Sequence, residues 1–113
     1  MFEDINFNSK EYIYNPYPGD QGQIIEEQLY DEDVFQVNYH TDNTRYTIDV
    51  GWYPAFSPEG SFRIVIVKNC DWENYLYDKR TKDYGQLHKY MEECVGIVMK
   101  LLKSNEQSGE KQK

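Results

Sequence analysis

Two alternating apolar runs joined by a four-residue turn set the fold class of this chain. Val34-Phe35-Gln36-Val37-Asn38-Tyr39 places Phe35, Val37 and Tyr39 on one face. After His40-Thr41-Asp42-Asn43, a second run places Tyr46, Ile48, Val50 and Trp52 on one face, with Arg45, Thr47 and Asp49 on the other. Period-two alternation is the signature of a half-buried strand. Strands this close in sequence pair antiparallel, because a parallel crossover takes a dozen or more residues. The loop Pro54-Ala55-Phe56-Ser57-Pro58-Glu59-Gly60 reverses the chain again. Phe62-Arg63-Ile64-Val65-Ile66-Val67 then becomes apolar on both faces at its C-terminal end, as a central strand does. Asn69-Cys70-Asp71 marks a further turn, and Glu73-Asn74-Tyr75-Leu76-Tyr77 suits a fourth, more exposed strand.

The last element is a helix. Asp83 can cap it, with Gln86 at the reciprocal capping-box position. Leu87, Tyr90, Met91, Cys94, Val98, Leu101 and Leu102 recur at helical spacing, while Lys89, Glu92, Glu93, Lys100 and Lys103 fill the opposite face. The expected architecture is α+β: an antiparallel meander of about four strands packed against a C-terminal amphipathic helix. At 113 residues the chain has room for one domain. That domain is expected over 1–103. Residues 1–21, broken by Asn15-Pro16-Tyr17-Pro18-Gly19-Asp20, are expected to lie extended over the surface. Ile25 and Leu29, spaced i, i+4 among Glu26, Glu27 and Gln28, favour a short helix over 22–30, although Ile24-Ile25 would also suit an edge strand. Residues 104–113 contain no apolar residue and read as a disordered tail.

Charge is distributed very unevenly over this frame. The first 33 residues carry nine acids against one base, Lys10, and the remaining residues balance, so the whole formal charge of −8 belongs to that segment. Such a lopsided field draws in a basic partner and speeds its encounter, while saying nothing about fold. Aromatic residues make up 16% of the chain, with eleven tyrosines, and tyrosine suits both half-exposed sheets and contact surfaces. The acids Glu26, Glu27, Asp31, Glu32 and Asp33 are the candidates for steering a partner. Tyr30 is the candidate anchor, followed by Tyr17 and by Trp72, which stands between two acids in a turn. Trp52 alternates with Ile48 and Val50 and reads as core.

No residue pattern names a reaction. His40 lies beside Asp42 in a turn that offers neither nucleophile nor cleft, and reads as solvated. Cys70 has no basic neighbour to activate it. Cys94 falls on the apolar helix face, where a free cysteine behaves as a small hydrophobe; a disulfide between the two is open but not demanded. The acidic run has no EF-hand register, and no glycine-rich phosphate loop occurs. Catalytic residues, cofactor and metal are therefore all expected to be none. Direct nucleic-acid binding is disfavoured because lysines and arginines are offset by acids throughout. The N-terminus does not have the basic-then-apolar layout of a signal peptide, no apolar run reaches the ~20 residues of a membrane span, and a cytoplasmic location is expected.

A small acidic α+β chain with tyrosines among its acids resembles the immunity proteins of bacterial toxin systems, of the contact-dependent inhibition and polymorphic-toxin type. The residues carrying the likeness are Glu26 to Asp33 and the stretch Tyr46-Thr47-Ile48-Asp49-Val50-Gly51-Trp52-Tyr53-Pro54 running to Asp71-Trp72-Glu73. These proteins share a task and a charge habit rather than a motif. The resemblance implies a non-enzymatic inhibitor that occludes the active site of a cognate toxin with a basic surface, such as a nuclease. Two other readings fit the same features. One is a DNA-mimicking inhibitor of a nucleic-acid-binding enzyme. The other is a small ligand-binding or enzymatic domain with a pocket between helix and sheet, for which Thr47, Asp49, Arg63 and His88 are the suggestive residues.

Overall fold

The computed structural model describes residue 2 and residues 4–11, 13–14, 34–41, 43–54 and 57–111, with side chains up to 104. Four strands follow one another in order: β1 (Phe35–His40), β2 (Arg45–Tyr53), β3 (Ser61–Lys68) and β4 (Tyr77–Thr81). They form one antiparallel sheet in the order β1-β2-β3-β4, the meander that the short connections dictate. The register aligns Val37 with Ile48 and Ile48 with Ile66, and in the next row Phe35 with Val50 and Val50 with Ile64. One face of the sheet is thereby a continuous apolar surface.

That face is covered by α1 (Tyr84–Lys111), which packs on β3 and β4. Leu87, Met91, Cys94 and Val98 are fully buried against it, as the helical spacing requires. Asp83 caps the helix: its Oδ2 accepts from the Gln86 amide at 2.9 Å and its carbonyl from Leu87 at 3.0 Å. The back-contact of a capping box is taken instead by Thr81, whose Oγ1 accepts from the Asp83 amide at 3.1 Å. The backbone of α1 continues to Lys111, through the polar stretch that composition assigns to a disordered tail. Glu, Gln and Lys are good helix formers and no proline intervenes.

Three sequence expectations are corrected. The fourth strand is Tyr77–Thr81 rather than 73–77. Asp71 holds the earlier residues in a turn: its Oδ1 accepts from the Glu73 amide at 3.2 Å and its Oδ2 from Asn74 Nδ2 at 3.1 Å. Such side-chain capture of backbone competes with strand formation. Second, β2 is buried on both faces, since Thr47 and Asp49 are 3% and 8% exposed although alternation marks them as outward. Both are hydrogen-bonded to β1, where Asn38 Oδ1 accepts from Thr47 Oγ1 at 2.7 Å and Gln36 Nε2 donates to Asp49 Oδ1 at 3.2 Å. Third, the N-terminal segment contributes to the core instead of lying wholly on the surface. Phe2 and Phe7 are buried against Phe35, with ring centroids at 5.0 and 5.3 Å. The short helix expected over 22–30 lies outside the described residues.

Candidate functional site

The loop between β3 and β4 brings aromatic and charged side chains together on one surface of the described fold. It leaves β3 through Asn69 and Cys70 at φ 53° and 59°, closed by a hydrogen bond from the Asp71 amide to the Lys68 carbonyl at 3.1 Å. Two consecutive left-handed residues make the reversal tight. The Asp71-centred turn then projects Trp72 outward, where it is 46% exposed. Beyond it, the Leu76 amide rejoins the sheet at the Ile66 carbonyl, 2.9 Å away.

Trp72 and Tyr75 come to rest beside the sheet face that α1 does not cover. With Asp49, Tyr53, Arg63 and Val65 they line a pocket of about 40 Å³. Asp49 and Val65 are cross-strand partners, and Val65 pairs in turn with Asp78. Arg63 spans the pocket wall. Its Nε and Nη2 donate to both Asp78 oxygens at 2.9 and 2.8 Å, and its guanidinium lies 4.7 Å from the centre of the Tyr75 ring. The hydrogen bonds from Arg63 hold the Asp78 carboxyl below the usual carboxylate range, and the same bonds raise Arg63 above its own.

A second, larger cavity of about 410 Å³ lies at the opposite end of β1, lined in part by Ser9, Glu11, Tyr39, His40, Thr41 and Leu102. His40 is the last residue of β1 rather than a free turn residue, and its Nδ1 meets Glu11 Oε2 at 2.5 Å. His88 is engaged in the same way. Its Nε2 lies 2.8 Å from Asp4 Oδ2 and its Nδ1 lies 3.3 Å from Glu92 Oε1. Both histidines therefore tie the N-terminal segment to the body of the fold. A sequence reading has no access to these pairs, since the partners stand 29 and 84 residues apart.

Of the candidate partner-binding residues, Trp72 alone can be placed. Glu26, Glu27, Tyr30, Asp31, Glu32, Asp33 and Tyr17 lie outside the described residues. Thr47, Asp49, Arg63 and His88 do not converge between helix and sheet: the first three occupy the sheet face away from α1, and His88 turns toward Asp4. Tyr53 and Tyr75 are not among the candidate site residues that the sequence offers, although Tyr53 continues the alternation of Asp49 along β2. Trp52 is core as expected, 6% exposed and edge-on to Phe62 at 5.0 Å. Cys94 is buried, Cys70 is exposed, and both are free thiols. Burial pushes the Cys94 thiol well up, which keeps it a neutral hydrophobe.

Among the described residues no group of three or more His, Cys, Asp or Glu is placed to hold a metal ion, and no helix is long and apolar enough to cross a membrane. Compared with protein-family models, with curated proteins and with solved structures, the chain matches none.

Proposed function

We propose that this chain is a protein-binding inhibitor of the immunity type, which captures a cognate basic toxin in the cytoplasm and occludes its active site. The observation that carries this reading is the segregation of charge: nine acids against one base in the first 33 residues, beside a charge-balanced remainder. A plug for a nuclease cleft must present carboxylates where substrate phosphates would lie, and it must arrive before the substrate. Concentrated charge does both, since steering can raise association to ~10⁸–10⁹ M⁻¹s⁻¹. Exposed aromatics such as Trp72 then slow dissociation, because a few buried anchors carry most of an interface's energy.

The test is capture of the adjacent gene's product by the tagged full chain at about 50 mM and about 300 mM salt, conditions that differ in screening length. A basic protein retained at both and inactivated on binding supports the reading. Several unrelated nucleic-acid-binding proteins retained only at low salt replace it with DNA mimicry. The cavity beside His40 and Glu11 favours a second reading, a small-ligand domain. A shift in thermal midpoint on screening metals and metabolites would select that one.

A further inference from the structure

The cavity of about 410 Å³ at the end of β1 falls within the roughly 300–1,000 Å³ of small-molecule sites. Three elements wall it: the N-terminal segment from Asn8 to Glu11, the end of β1 with His40, and α1 at Leu102. The first wall is fastened to the sheet. Asn8 turns through the left-handed region at φ 55°, Ser9 Oγ donates to the Asn38 carbonyl at 2.5 Å, and the Glu11 amide donates to Ser9 Oγ at 3.2 Å. Walls fixed before binding reduce the free energy that a ligand loses to ordering its site.

The polar groups still available on these walls complement one kind of ligand. Lys10 is exposed, and among the described residues its ammonium has no carboxylate partner. Glu11 meets His40 Nδ1 through Oε2 alone. An ionised carboxylate only accepts, so Nδ1 is the donor of that pair, and the neutral ring keeps Nε2 as an acceptor. The cavity therefore combines one unpaired cation with a pair of groups that accept, and Leu102 adds an apolar wall. A simple cation would be repelled by Lys10, and an anion with no donor would leave the Glu11–His40 pair unanswered.

We propose that this cavity binds a small carboxylic acid that carries a hydroxyl or amino donor next to its carboxylate and an apolar body beyond, the chemistry of α-hydroxy and α-amino acids. The carboxylate meets Lys10, the donor meets the Glu11–His40 pair, and the apolar body lies against Leu102. The inference deepens the small-ligand reading of this cavity and rests on it, while capture of a basic protein tests the inhibitor reading separately.

The full chain is titrated at pH 7.5 and constant ionic strength with 3-phenyllactate, which carries all three groups. In parallel it is titrated with 3-phenylpropionate, which lacks the hydroxyl, with neutral 3-phenylpropionamide and with 2-phenylethylammonium. The backbone amides of Ser9, Lys10, Glu11, His40, Thr41 and Leu102 are followed by NMR. Saturable shifts at these amides with 3-phenyllactate, at least tenfold weaker with each of the other three, support the proposal. A further tenfold weakening in Lys10→Met, restored in Lys10→Arg, does so again, and Lys10 is exposed and unpaired, so neither variant disturbs the core. No saturable response to 3-phenyllactate, an equal response to the amide, or binding unchanged in Lys10→Met overturns it. Saturation by 2-phenylethylammonium alone overturns the acid assignment and leaves the small-ligand reading standing. That reading falls separately, when no compound in the wider thermal screen shifts the midpoint.

Discussion

The Tyr39 hydroxyl donates a 2.8 Å hydrogen bond to the carbonyl of Phe7, inside the core and across 32 residues of chain. It fastens the N-terminal segment to β1 at a point where water has little access, and burial drives the Tyr39 hydroxyl far above its ordinary titration range. Removing the donor leaves a buried carbonyl unsatisfied. Tyr39→Phe is expected to lower stability by about 1–3 kcal/mol, read from urea unfolding followed by far-UV circular dichroism. A loss within experimental error would mean that the segment is held by its other anchors, the buried Phe2 and Phe7 rings and the Glu11–His40 and Asp4–His88 pairs.

Two glycines should respond in opposite directions to the same substitution. A Cβ on Gly60 would sit 2.6 Å from Trp52 Nε1 and 2.7 Å from the Tyr53 carbonyl oxygen, while one on Gly96 meets nothing within 4 Å. Gly60→Ala must push apart the turn that also accepts the Trp52 indole N–H at Ser57, and is expected to cost about 1–3 kcal/mol. Gly96→Ala gains helix propensity in mid-helix and should add up to about 1 kcal/mol. Paired thermal melts check both signs at once.

Cys70 sits at φ 59°, where a Cβ crowds the following carbonyl. The preceding Asn69, at φ 53°, belongs to a residue type that tolerates this region. Cys70→Gly restores the Asn-Gly pair that such reversals favour and should raise stability by about 0.5–1 kcal/mol. A fall in melting temperature would show that the thiol makes a compensating contact.

The Arg63–Asp78 pair gives a definite sign for pH dependence. Hydrogen bonds from Arg63 depress the folded Asp78 carboxyl, so its contribution is whole above the unfolded value of about 4 and is lost as pH falls through the lower folded value. Arg63→Met should therefore cost about 0.5–1 kcal/mol at pH 7, and the gap to the parent chain should narrow as pH falls below about 4. Urea unfolding across that range measures it. A gap independent of pH would assign the loss to packing against Tyr75.

Steering by the acidic run predicts a kinetic signature. Reversing Glu26, Glu27, Asp31, Glu32 and Asp33 to lysine should slow association with a captured basic partner by at least about tenfold at low salt, with the dissociation rate changed much less. Stopped-flow mixing separates the two. An unchanged association rate would remove these residues from the steering role.

Periodicity carried most of the fold. Alternation at Phe35, Val37 and Tyr39 and at Ile48, Val50 and Trp52 pointed to one apolar face, and those side chains are buried together in the sheet. The i, i+3, i+4 spacing from Leu87 to Val98 identified the helix stripe, because burial of a repeating face is a local property of the sequence. The boundary of β4 was not legible. A short polar segment can pair with a neighbour or fold onto its own side chain, and the hydrogen bonds of Asp71 decide for the turn.

Sequence by itself determined the α+β class, the antiparallel order and the concentration of charge in the first 33 residues, since each depends on residues near one another in the chain. Only the tertiary structure decided that Asp49 is buried, that His40 and His88 hold Glu11 and Asp4, and that Asp49, Tyr53, Trp72 and Tyr75 share one pocket. These are meetings between distant segments. They follow from strand register and loop closure, which a pattern of side-chain polarity along the chain constrains only to a face of the sheet and not to a neighbour.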